Sequence, residues 1–205
     1  MIKVFTKLTD SQKKELKSGV IEVSGKAMNR TALGVVDAIF TLYPKISFNE
    51  LKEMLPDKIN PSAPKNFKSI FKPFTNKNYG VFQPLSIKTE IEKNGYDINS
   101  THFTKEEEMF TTSDGTKIIV SKLWESNDTE TGENDLQNLI NHVSNYGIRV
   151  VQVEKKENFN KGEYNLKIIN KTLFDELQTV KKKWNYLWLL ILVIIIIISI
   201  IYIKK

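Results

Sequence analysis

Residues 184–205 read WNYLWLLILVIIIIISIIYIKK, and from Leu187 to Ile203 no residue is charged and only Ser199 is not hydrophobic. These seventeen residues span about 25 Å as a helix, and the stretch from Trp184 about 30 Å, the thickness of a bilayer's hydrocarbon core. Each Ile, Leu or Val adds about −0.3 to −0.6 kcal/mol to insertion. A buried core helix is rarely apolar on every face, so residues 184–203 are expected to form a single transmembrane helix. Trp184, Tyr186 and Trp188 stand at one end and Tyr202 at the other, where amphipathic rings favour the headgroup region. Lys181, Lys182 and Lys183 precede the span and Lys204 and Lys205 follow it.

The lysine bias places the N-terminal part in the cytoplasm. The opening MIKVFTKLTDSQKKELK has no apolar stretch of the kind that a secretory signal needs. Residue 2 is isoleucine and the chain has no cysteine, so neither myristoylation nor prenylation is expected. The expectation is a tail-anchored, single-pass protein of a bacterial inner membrane, with membrane lipid as one partner. The span lacks a small-xxx-small face and an internal ionisable group, so it reads as an anchor and not a pore.

The net charge of +6 is mostly anchor flank. Five of the 30 basic residues lie at 181–183 and 204–205, leaving 25 against 24 acids in residues 1–180. Only Arg30 and Arg149 are arginine; the other basic residues are lysine. Zero cysteine excludes disulfides, thiolate metal sites and a cysteine nucleophile, and fits a reducing compartment.

The soluble part reads as an α+β chain in sections: an N-terminal strand/helix segment (1–30), a first module (31–83), a small α/β module (84–154), and a linker with a juxtamembrane helix (155–183). A short polar helix is expected over Leu8–Ile21, with Thr9 or Asp10 as its cap. Leu33, Val36, Ile39 and Phe40 fall on one face of a helix that stops before Pro44. Ile46-Ser47-Phe48 reads as a strand-like step, and Asn49 as the cap of a helix presenting Leu51, Met54 and Leu55 before Pro56. A third helix is expected over Pro64–Lys72, and Tyr79–Phe82 as a strand. This order resembles a winged helix-turn-helix module over about residues 31–83, and the resemblance implies contact with nucleic acid.

Charge adds an independent point. From Lys58 to Gly80 there are five lysines (Lys58, Lys65, Lys68, Lys72 and Lys77) and no acid. Lys65, Lys68 and Lys72 share one helix face, opposite Phe67, Ile70 and Phe71, as phosphate-seeking charge in front of a core would be. A solvated lysine face is the structural alternative, and anionic lipid or an acidic protein are the other ligands this pattern suits. No arginine lies in the segment, so DNA contact would rest on the backbone.

In the second module, Met109–Ser113 and Thr116–Val120 flank Asp114-Gly115 and read as a hairpin with a two-residue turn. That register opposes Met109 to Val120, Phe110 to Ile119 and Thr111 to Ile118, with Trp124 closing the second strand. Leu136, Leu139, Ile140 and Val143 make an amphipathic stripe capped by Asn134 or Asp135 and ended by Gly147. Ile148–Val153 follows as a strand. Before the span, Thr172 is a candidate cap for Leu173, Phe174, Leu177 and Val180.

No phosphate-binding glycine loop, HExxH, GxSxG or metal-spaced cluster occurs, so no catalytic residue, metal or cofactor is indicated. His142 beside its stripe reads as structural, His102 lies 40 residues away, and Glu106-Glu107-Glu108 reads as a solvated run. The functional expectation is a non-enzymatic adaptor at the membrane face that binds nucleic acid or an acidic protein. The alternative is a membrane effector, of a stress or phage-defence type, whose soluble part drives clustering and bilayer perturbation.

Overall fold

The computed structural model describes residues 8–60, 80–93, 97–124, 134–151, 159, 162–178 and 195. The chain divides into two compact units, Met1–Ile169 and Asn170–Lys205. The expected boundary near residue 84 falls inside the first unit, which is mixed α/β. Its elements are α1 (Asp10–Leu16), β1 (Ile21–Gly25), α2 (Met28–Leu42), α3 (Phe48–Met54), β2 (Phe82–Pro84), α4 (Ile87–Lys93), β3 (His102–Phe103), β4 (Phe110–Thr111), β5 (Lys117–Ser121), α5 (Asp135–Val143), β6 (Ile148–Val150) and β7 (Tyr164–Ile168).

Thr9 starts α1 with a capping box, its hydroxyl accepting the Gln12 N–H while Gln12 accepts the Thr9 N–H. The helix stops well short of Ile21, because Gly19 takes φ +92° and turns the chain into β1. β1 is the centre of a three-stranded sheet, parallel to β6 and antiparallel to β7. Residues 164–168 had been expected in a linker. Instead they pair along the whole of β1, from Ile21 opposite Ile168 to Gly25 opposite Tyr164. Glu22 lies opposite both Arg149 and Lys167, and Arg149 closes an ion pair onto it.

Helix α2 packs on all three strands of this sheet and also meets β5 of a second one. That dual contact explains why its burial runs nearly all round, through Ala32, Leu33, Val35, Val36, Ala38, Ile39 and Leu42. A single stripe was expected, with Phe40 on it; Phe40 is half-buried and stacks on Phe110 at 5.1 Å. Each fully buried Leu, Ile or Val contributes about 1.5–3 kcal/mol, so α2 is the main apolar pillar. Gly34 lets it approach closely, since a Cβ there would stand 2.9 Å from both Tyr164 and Val23.

The cap of α3 is Ser47 and not Asn49. Its hydroxyl accepts the Glu50 N–H and Glu50 accepts the Ser47 N–H, so Phe48 begins the helix instead of extending a strand.

The second sheet is centred on β5, with β2 along one edge and β3 and β4 sharing the other. Phe82 of the expected terminal strand therefore pairs with Val120, inside this sheet. Helix α4 covers it through Ile87 and Ile91, which cluster with Ile98 and Ile119. The hairpin register is one residue from expectation, with Phe110 opposite Ile118 and Thr111 opposite Lys117. Thr112 pairs with Thr116 instead, leaving a three-residue loop in which Gly115 takes φ +83°. Asp114 fixes that loop: hydrogen bonds from the Thr112 hydroxyl and the Phe48 N–H hold its carboxyl down at about 2. Trp124 lies beyond β5, its indole N–H donating to the Ser121 carbonyl at 2.9 Å.

Asn134 caps α5, Gly147 at φ +82° ends the segment, and β6 follows directly. In the second unit residues 171–178 are helical, with Leu173 and Leu177 buried. Its cap is Asn170, whose side-chain oxygen accepts the Leu173 N–H at 3.0 Å, so Thr172 lies within the helix. Among the described residues no helix is long and apolar enough to cross a membrane. The apolar run 184–203 lies outside them except for Ile195, which is helical and exposed.

Candidate functional site

Arg30 is one of two arginines in a lysine-rich chain, and it sits in the first turn of α2. A planar guanidinium can hold several acceptors at fixed angles, which an ammonium cannot. Arg30 uses that fork across the fold. Its Nη1 donates to Glu108 Oε1 at 2.5 Å and to the Gly162 carbonyl at 3.3 Å, and its Nε lies 3.2 Å from Glu163 Oε2. The guanidinium carbon is 4.6 Å from the centre of the Phe103 ring, and Lys122 Nζ is 5.2 Å from the same centre. One side chain thereby joins α2, the β3–β4 strap and the turn before β7.

The strap explains how Glu108 arrives there. β3 and β4 use neighbouring stretches of one edge of β5, and the six residues between them leave the ladder. They pass through a single helical turn at Glu106–Glu108. Glu108 is 7 % exposed and neutralised by Arg30, whereas Glu106 pairs with Lys117 at 3.0 Å on the surface. The three consecutive glutamates thus do different jobs, and only part of the run is the solvated face expected of it.

Around Arg30 lies a cleft of about 410 Å³, lined by Lys105, Glu107, Glu108, Glu163 and Tyr164 among others. Glu163 has φ +62° and is the one non-glycine residue at positive φ among the described residues; Gly162 beside it has φ +107°. A side chain in that region costs roughly 1–2 kcal/mol. Glu163 is held there from outside: Lys26 Nζ lies 2.5 Å from its carboxylate, and the Lys26 N–H donates to its carbonyl. The Lys26 hydrogen bond, then the Lys26 and Arg30 charges, keep its carboxyl below the usual range. Tyr164 donates to Asp37 Oδ2 at 2.8 Å; burial raises the titration of both groups. Arg30 Nη2 donates no hydrogen bond among the described residues, and neither Lys105 nor Glu107 forms an ion pair there.

The two histidines are placed apart. His142 Nε2 donates to the Met54 carbonyl at 2.8 Å, tying α5 to the end of α3. His102 is buried on β3. The Thr101 hydroxyl donates to the Ile98 carbonyl, so its oxygen accepts the His102 Nδ1–H at 2.9 Å. Burial, aided by Lys122, pulls His102 down to about 3 from an ordinary 6.5. The unfolded chain therefore binds a proton that the folded chain refuses throughout this interval. Stability is complete above about pH 6.5 and declines as pH falls toward 3, at up to about 1.4 kcal/mol per unit. Urea midpoints at pH 6 and pH 5 should show that slope, and His102→Gln should lose most of it.

Of the residues singled out from sequence, Lys58 is exposed on a single helical turn at Asp57–Ile59. Lys65, Lys68, Lys72 and Lys77 lie outside the described residues, as do Lys181, Lys182, Lys183, Trp184, Tyr186, Trp188 and Tyr202. The Arg30 hub was missed because its partners are 78 and 133 residues away in sequence. Its one sequence signal was the choice of arginine where lysine is the rule. Among the described residues no group of three His, Asp or Glu is placed to hold a metal ion. No protein-family model, curated protein or solved structure matches the chain.

Proposed function

We propose that this chain is a membrane-anchored, non-enzymatic adaptor whose α/β body binds an acidic partner, nucleic acid or acidic protein, at the cytoplasmic face. The observation that carries the reading is the uncharged run Leu187–Ile203, bracketed by aromatic rings and preceded by three lysines. Anchoring restricts encounter to the membrane and raises the effective concentration of partners already there. The acid-free lysine segment from Lys58 to Gly80 supports an anionic partner, because it concentrates five positive charges while the rest of residues 1–180 carries 20 basic against 24 acidic groups. The polar cleft of about 410 Å³ beside Arg30 supports a binding role, since Arg30 and Lys105 both stand in its lining.

The test uses the full chain extracted in detergent. The reading predicts a co-purifying nucleic acid or acidic protein, with retention that weakens as salt rises. Changing Lys65, Lys68 and Lys72 together to glutamate should reduce retention by about tenfold or more at low salt. Leakage of dye from vesicles, with no partner retained, would favour the effector alternative and remove the adaptor reading.

A further inference from the structure

We infer that the Arg30 cleft is a receptor for a carboxylate of an acidic peptide segment, and that Glu163 is an internal stand-in which the incoming carboxylate displaces. This deepens the adaptor reading and rests on its acidic protein partner. Three observations combine. A carboxylate already occupies the place, with Glu163 lying against Arg30 Nε at 3.2 Å and Lys26 Nζ at 2.5 Å. That carboxylate is not buried in a core: its side chain is 45 % exposed and its backbone sits at a positive φ unsuited to glutamate. Donor capacity remains in the same cleft, since Arg30 Nη2 and the Lys105 ammonium are without acceptors among the described residues.

An external carboxylate can therefore take over the Arg30 and Lys26 contacts and add the Arg30 Nη2 and Lys105 donors that Glu163 does not use. Glu163 then leaves toward solvent. Glu107 and Glu108 select the ligand class, because their charges line the same cleft. A dianionic phosphate meets more repulsion from them than a singly charged carboxylate does. Glu108 keeps its own pair with Arg30 Nη1 throughout.

The experiment measures fluorescence anisotropy of a labelled peptide of alternating Glu and Gly on the full chain in lipid nanodiscs, at 50 mM salt. Glu163→Gln removes the competitor and should tighten binding by about two- to fivefold, the range of an exposed ion pair. Glu163→Gly, which suits the positive φ, should do the same and covers any misfolding of the first variant. Lys105→Glu should weaken binding by about tenfold, whereas the same charge change at exposed Lys45, outside the cleft lining, should weaken it less than about twofold. Acetate should displace the peptide at least as well as inorganic phosphate.

Unchanged or weaker binding by both Glu163 variants overturns the proposal, as does equal loss at Lys105 and Lys45, or phosphate competing better than acetate. Peptide binding lost with Lys65, Lys68 and Lys72 but indifferent to Lys105 overturns the cleft while leaving the acidic-partner reading intact. No peptide binding at all overturns the cleft proposal and the acidic-protein form of the adaptor reading, and leaves nucleic acid as the partner that co-purification tests.

Discussion

Introducing arginine at two central positions of the apolar run, Ile195→Arg with Ile198→Arg, is expected to move the chain from the membrane fraction to the soluble fraction. The fourteen Leu, Ile and Val residues between Leu187 and Ile203 together favour insertion by about 4–8 kcal/mol. An arginine at the centre of a span costs about 2.5–3.5 kcal/mol, so two cancel most or all of that sum. Either substitution alone leaves a net gain, and the single variants should remain mostly membrane-bound. Ile195 is the midpoint of the run, where snorkelling to either surface is least effective. The partition between pellet and supernatant after cell fractionation reads the outcome directly.

The second large effect concerns the hub. Arg30→Leu leaves Glu108, only 8 % exposed at its side chain, without its counter-charge. Removing one partner of a buried pair typically costs 3–5 kcal/mol, and the partial exposure of Arg30 puts this case at about 3 kcal/mol. The double variant Arg30→Leu with Glu108→Leu removes both charges and should recover most of the loss, because two apolar groups incur no desolvation penalty. A double-mutant cycle by urea denaturation measures the coupling. Additive losses would mean that the two residues act independently and that the hub does not join the strap to α2.

Sequence reasoning went furthest where local chemistry decides structure. The cap at Asn134, the stripe of α5 and the left-handed Gly147 follow from side chains within a few positions of one another, and so does the stop of α2 before Pro44. It was less reliable where two local signals competed. Asn49 and Ser47 both precede an apolar helix, and the reciprocal bond with Glu50 decides for Ser47. The Asp-Gly pair located the hairpin but not its register, since one glycine at positive φ serves either a two-residue turn or a three-residue loop. What pattern could not supply was long-range pairing. β1 and β7 are short and of mixed polarity, and they become strands by pairing with each other across about 140 residues. Glu108 looked solvated because its partner lies on another element. For the cleft, the individual lysines and glutamates are ordinary; only the fold brings Arg30, Lys105 and Glu163 into one lining.

Alkaline carbonate extraction of membranes from cells producing the full chain tests the central claim most directly, because it strips peripheral proteins and leaves lipid-embedded ones. The account predicts that the intact polypeptide stays with the sedimented bilayer and is released only by detergent. Recovery of the intact polypeptide in the carbonate supernatant would contradict it.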